Sequence, residues 1–117
     1  MKIVDQIALE SKIEVLGTQY KIRVSDDISE FEDCIGWADK TTKEITILDL
    51  DSYDKCNFGD KEKMMRKVLR HEIIHAFMYE SGLQENVRWD CEQMVDWIAI
   101  QFPKTKEAFK KLDILEE

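Results

Sequence analysis

The first fifty residues alternate in character. Ile13-Glu14-Val15-Leu16 runs into Gly17-Thr18, after which Tyr20, Ile22 and Val24 are interleaved with Lys21 and Arg23. A period of two marks a strand with one face in the core and one in water, and a glycine between two such runs predicts a hairpin. A second pair of strands is expected at residues 34–38 and 44–48, joined by a polar turn at 39–43. Residues 1–10 read as a short amphipathic helix, and residues 49–59 as a polar loop with Tyr53 and Phe58 as candidate anchors. From residue 60 the period becomes helical. Asp60 is placed to cap a helix over residues 61–80 by accepting from its first free N–H groups. Gly82 is placed to stop it, because glycine takes left-handed angles at little cost. Met65, Leu69, Ile73, Ala76 and Phe77 form one apolar stripe of that helix. Met64, Val68, His71, His75 and Tyr79 form the stripe beside it. A further helix is expected from about residue 87 to Phe102, with Met94, Val95, Ile98 and Phe102 facing inward and Pro103 ending it. Thr105 would then cap a last short helix to Leu112.

Strands followed by helices, with no repeat or linker, predict one α+β domain over residues 1–117. Its expected architecture is a small twisted sheet packed on an antiparallel pair of helices. Trp37, Trp89 and Trp97 are expected in the core.

Composition narrows the range of partners. The chain is 44% apolar and 36% charged, as suits a globular protein, and carries a net charge of −8. So acidic a chain is a poor general binder of phosphate backbones, which argues against direct nucleic-acid contact. Cys34, Cys56 and Cys91 are too few and too scattered for a disulfide framework, which points to a reducing cytoplasm. The first residues lack the apolar core of a signal peptide, and no run of about 18 apolar residues suggests a membrane span. No pattern in the chain sets an oligomeric state.

The chemistry concentrates in His71-Glu72-Ile73-Ile74-His75, which holds the chain's two histidines. Residues four apart share a helix face, so both imidazoles can grip one Zn²⁺ at roughly 2.0–2.1 Å each. Glu72 stands beside the first of them, where a carboxylate can take a proton from a reacting water. The arrangement has a chance on the order of 0.2%, which favours a metal site over an ordinary histidine pair. Catalytic zinc usually takes three protein ligands, so the third must be Asp, Glu or Cys. Glu80, five past His75, points elsewhere on a continuous helix. Ser81 stands where a metzincin-type site needs a histidine, which excludes that class. Glu92 on the returning helix is preferred to Asp90, Asp96 or Cys91. Asp96, one turn further, is placed to accept from the free ring nitrogen of a ligand histidine. Tyr79, Tyr53 and Arg88 are candidate donors to a developing oxyanion. An exposed edge at residues 44–48 is a candidate to bind substrate backbone by strand addition.

His71–His75 followed by Glu92-x-x-x-Asp96 resembles the gluzincin arrangement. More narrowly, Glu92-Gln93-Met94-Val95-Asp96-Trp97-Ile98-Ala99 with the following Pro103 resembles the ImmA/IrrE family of metallopeptidases and its compact phage-encoded members. Gly36 and the β-segment at 44–48 also match that family's layout, so the resemblance spans residues 36–103. Val95 and Asp96 stand where the family has a small residue and asparagine. The resemblance implies a minimal zincin-like domain, with Zn²⁺ held by His71, His75 and Glu92 and with Glu72 as general base. It also implies hydrolysis of a peptide bond in a protein substrate, such as a helix-turn-helix repressor. Two alternatives remain. A deformylase-like amidohydrolase would recruit Cys34 or Cys56 upstream. A non-catalytic, zinc-stabilised module would dock a basic partner on its acidic surface, with the tryptophans as anchors.

Overall fold

A computed structural model of the chain describes residues 2–52, 59–82 and 92–115. Among these, the molecule is an α+β domain of one four-stranded mixed sheet and three α-helices. Helix α1 spans Ile3–Leu9 and buries Ile3 and Ile7, as the amphipathic pattern requires. Strands β1 (Lys12–Val15) and β2 (Thr18–Ser25) pair as the expected hairpin. Its two-residue turn puts both Leu16 and Gly17 at positive φ, the handedness that fits the twist of a tight hairpin. Strands β3 (Gly36–Asp39) and β4 (Glu44–Leu48) form the second antiparallel pair. Asp39 shapes their turn by accepting from the N–H groups of Thr41 and Thr42.

The sheet order is β1-β2-β4-β3, with β2 and β4 parallel. This corrects the expectation of an exposed edge at residues 44–48, because β4 is hydrogen-bonded on both sides. Its alternate residues Ile45/Ile47 and Thr46/Leu48 are all buried, so both of its faces are covered. Among the described residues, the free edge beside the helices is β3.

Helix α2 spans Lys61–Ser81. Asp60 caps it by accepting from the Lys63 N–H at 2.9 Å, and Gly82 closes it at φ 77°. Its buried side is Met65, Val68, Glu72, His75, Ala76 and Met78. The core-facing stripe therefore runs through Glu72 rather than through Phe77, which is exposed. The far end of α2 is tied to the sheet by Glu80. That carboxylate accepts from the buried Tyr20 hydroxyl at 2.7 Å and pairs with Lys43 at 2.8 Å. Bonds from Lys43 first, then from Tyr20 and Thr18, pull its pKa down to about 2. Burial, followed by Glu80, raises that of Tyr20.

Helix α3 is continuous from Glu92 to Lys111 with Pro103 inside it, which corrects the expected break and the separate helix after Thr105. In a regular helix residue 103 would donate its N–H to the carbonyl of residue 99, and proline has no N–H to give. The Arg70 guanidinium of α2 donates to the Ala99 carbonyl instead, at 2.8 Å. Burial lowers the Arg70 pKa, a mark of how far it is drawn into the helix interface. Val95 and Ala99 are the residues of α3 packed wholly inside. Phe102 and Trp97 are exposed, 53% and 63%, contrary to their expected burial. Trp37 is half-buried and tilts against Phe31, while Trp89 and Phe58 lie outside the described residues. No helix among the described residues is long and apolar enough to cross a membrane.

Two outcomes follow. Arg70→Leu lowers unfolding free energy by about 1–3 kcal/mol, because a buried carbonyl loses its donor. The loss shrinks in a Pro103→Ala background, where residue 103 regains its N–H. A urea-denaturation double-mutant cycle measures this, and equal losses in both backgrounds would refute it. Glu80 has its folded pKa depressed, so its stabilisation is full above the ordinary carboxylate range and disappears as pH falls toward 2. Glu80→Gln should therefore flatten the dependence of Tm on pH between about 4.5 and 2, read by circular dichroism.

Candidate metal centre

Helical spacing stacks Lys67, His71 and His75 one turn apart along α2, and the antiparallel return of α3 sets Glu92 and Asp96 opposite them. The Glu92 carboxylate spans both rings. Its Oε2 lies 2.9 Å from His71 Nε2 and its Oε1 lies 2.7 Å from His75 Nε2. The two Nε2 atoms are 3.2 Å apart. Asp96 Oδ1 stands 3.2 Å from His71 Nδ1 and 2.5 Å from Lys67 Nζ. Lys67, followed by His71, holds the Asp96 carboxyl below its ordinary pKa against the opposing effect of burial. Lys67 is a residue that sequence reasoning missed. Its signal was its place one turn before His71 on the same face.

His71, Glu72 and His75 form a buried cluster able to hold a metal ion. The hydrogen-bond chemistry fits a cation. With Asp96 accepting from Nδ1, a neutral His71 ring turns the lone pair of Nε2 toward Glu92. Two N–H groups 3.2 Å apart would oppose one another, so at least one Nε2 faces the carboxylate and its neighbour as an acceptor. A divalent ion among these atoms would convert that repulsion into coordination. Four-coordinate ligands at zinc distances sit roughly 3.3 Å from one another, close to the separation of the two rings.

Glu72 occupies the neighbouring position on the sheet side. It is 7% exposed, and its Oε2 would lie 3.3 Å from a Cβ built on Gly36. Burial raises its pKa to about 7, with His71 opposing and Glu92 adding. A cation held by the adjacent imidazoles would draw it back down. Gly36 allows this approach, since a Cβ there would also stand 2.8 Å from Val68 Cγ1. The result is a cleft of about 240 Å³. Asp33, Cys34, Ile35 and Gly36 form one wall. Lys67, Val68, His71 and Glu72 form the floor, with Glu92 and Asp96 opposite.

Other candidates are placed differently. Tyr79 lies with its ring stacked on that of His75, centroids 6.0 Å apart. Tyr53 and Arg88 lie outside the described residues, as do Cys56, Asp90 and Cys91. Cys34 is exposed in the cleft wall.

No protein-family model matches this chain, and neither does any curated protein or solved structure. The resemblance to the ImmA/IrrE family therefore rests on the residues quoted for it above.

Gly36→Ala should separate β3 from α2 and destabilise the fold by about 1–3 kcal/mol through overpacking. Chemical denaturation measures it, and an unchanged midpoint would show that the approach is not tight.

Proposed function

We propose that this chain is a zinc-dependent peptidase of zincin-like architecture, hydrolysing a peptide bond in a protein substrate. The observation that carries the reading is the convergence of His71 Nε2, His75 Nε2 and the Glu92 carboxylate, with the buried Glu72 carboxyl beside them. His71, His75 and Glu92 would hold the ion. When bound, zinc would supply Lewis acidity, polarising the scissile carbonyl and acidifying a water. Imidazole with carboxylate is a donor set that suits zinc.

The chain's own groups have distinct tasks in this reading. Glu72 takes the water proton at its carboxylate and returns it to the leaving amine nitrogen. Burial raises the pKa of this carboxyl and a bound cation would lower it, and the two transfers need a carboxyl that can both accept and release a proton. Asp96 accepts from His71 Nδ1 and so keeps the ring in the tautomer that leaves Nε2 open, and Lys67 steadies Asp96.

Substrate backbone has a place to lie. Leu48 N–H donates to the Ile35 carbonyl at 3.0 Å, and the alternation of an antiparallel ladder then turns the N–H and C=O of Gly36 and Ala38 outward. A segment adding to β3 there would border the cleft that Glu72 lines. A helix-turn-helix repressor is the substrate that the family resemblance suggests.

The test joins metal content to proteolysis. The wild-type chain should bind one zinc and cleave an unfolded protein substrate, with activity lost to a chelator and restored by zinc. Glu72→Gln should keep its zinc and cut about 10²–10⁴-fold more slowly. His75→Ala should lose the metal. A Glu72→Gln variant as fast as the parent would overturn the assignment of the base. Zinc bound without cleavage of any offered protein would favour a metal-stabilised binding module.

A further inference from the structure

Residues 24–39 lead into and form the free edge beside the cleft. They contain Asp26, Asp27, Glu30, Glu32, Asp33 and Asp39 and no lysine or arginine, so this stretch alone contributes −6 to a net charge of −8. Some of these carboxylates are occupied. Asp39 and Asp27 accept from their own turns, and Glu30 pairs with Arg23 at 3.3 Å. Glu32 and Asp33 are exposed and form no ion pair among the described residues, and Asp33 forms part of the wall of the cleft, whose Lys67 is paired with Asp96. Charge is segregated along the chain: Lys104, Lys106, Lys110 and Lys111 cluster on the far half of α3, away from the cleft wall.

A second observation marks this wall as a binding surface. Glu72, 7% exposed, lines the cleft with its Oε2 against Gly36, 3.3 Å from where a Cβ there would stand, and no hydrogen bond to it forms among the described residues. The outward N–H and C=O groups of Gly36 and Ala38 border the same space. A polypeptide strand would satisfy that edge, and its side chains would pass Asp33 and Glu32 on one side of Glu72.

We infer that the cleft takes a cationic segment: an extended, lysine- and arginine-rich stretch of polypeptide laid along the free edge of β3, its basic side chains against Glu32 and Asp33. The inference rests on the peptidase reading, and it adds the class of substrate. Zinc and its ligands account for the charge of Glu92, and Lys67 offsets Asp96, so Glu32 and Asp33 remain as the unneutralised acids on the substrate's path. Uncompensated surface carboxylates attract a cationic chain from solution and repel an anionic one, an effect that salt screens.

Two fluorescein-labelled extended peptides of equal length test this, one with lysines and one with glutamates at the same positions. Binding is followed by anisotropy to the zinc-supplied Glu72→Gln chain, which should bind without cutting, and zinc content is measured on the same samples. The lysine peptide should bind at least about tenfold more tightly at low salt, and the preference should shrink as salt rises toward about 0.3 M. Glu32→Lys with Asp33→Asn should reduce the preference to less than about threefold without loss of zinc. Asparagine tolerates the positive φ of Asp33, so the substitution keeps the local backbone. Should that pair fail to fold, Glu32→Lys alone should at least halve the preference. Equal affinity for both peptides, binding of neither, or a preference untouched by the charge changes would overturn the inference. A chain that holds no zinc would instead sink the peptidase reading, whichever peptide it prefers.

Discussion

Glu92 begins α3 and spans His71 and His75 on α2, and it reaches both rings because the two helices pack tightly where Val95 and Ala99 are buried. Ala99 has almost no side chain to keep the helices apart, and its carbonyl is held by Arg70 from the opposite helix. One contact thus serves two ends. It gives a donor to the carbonyl that Pro103 cannot serve, and it ties α3 to α2 on the stretch of α3 that also carries Glu92 and Asp96 toward the histidines.

The sheet contributes the other half of the site. Gly36 brings β3 against α2 so closely that Glu72 is walled in between helix and strand. Burying this carboxyl with no hydrogen bond to it among the described residues opposes folding, and the same burial raises its pKa. The fold bears it through a well-filled core around Tyr20, Ile45, Ile47 and Met65, and through the Glu80–Tyr20–Lys43 tie at the far end of the helix. Strained groups of this kind gather at functional sites, and here the strain sits beside a free strand edge and two imidazoles.

Much of this was legible in the chain. The hairpin at Gly17, the cap at Asp60, the stop at Gly82 and the helical pairing of His71 with His75 follow from local rules and occur where those rules put them. Other features turned on partners distant in sequence. Pro103 should end a helix unless something accepts the burden of the orphaned carbonyl, and Arg70 lies 33 positions earlier. The run Glu44-Ile45-Thr46-Ile47-Leu48 is equally good as an edge or a centre, and it became central because β2 claimed one side of it and β3 the other. Phe77, Trp97 and Phe102 are apolar and yet exposed, since the small Ala76, Val95 and Ala99 form the packed seams in their place.

The residue order by itself determined which atoms could meet along a single element. A pair of histidines four apart must share a helix face, whatever surrounds them, because the period of the helix is a property of the backbone. It also determined that residues 24–39, leading to β3, carry six carboxylates and no lysine or arginine. Which carboxylate spans the two rings, which strand is left with an open edge among the described residues and which carboxyl is buried between helix and strand were decided only by the packed structure. Each depends on the angle and spacing between elements, and those are set by side-chain volumes meeting across the whole core rather than by any local stretch of chain.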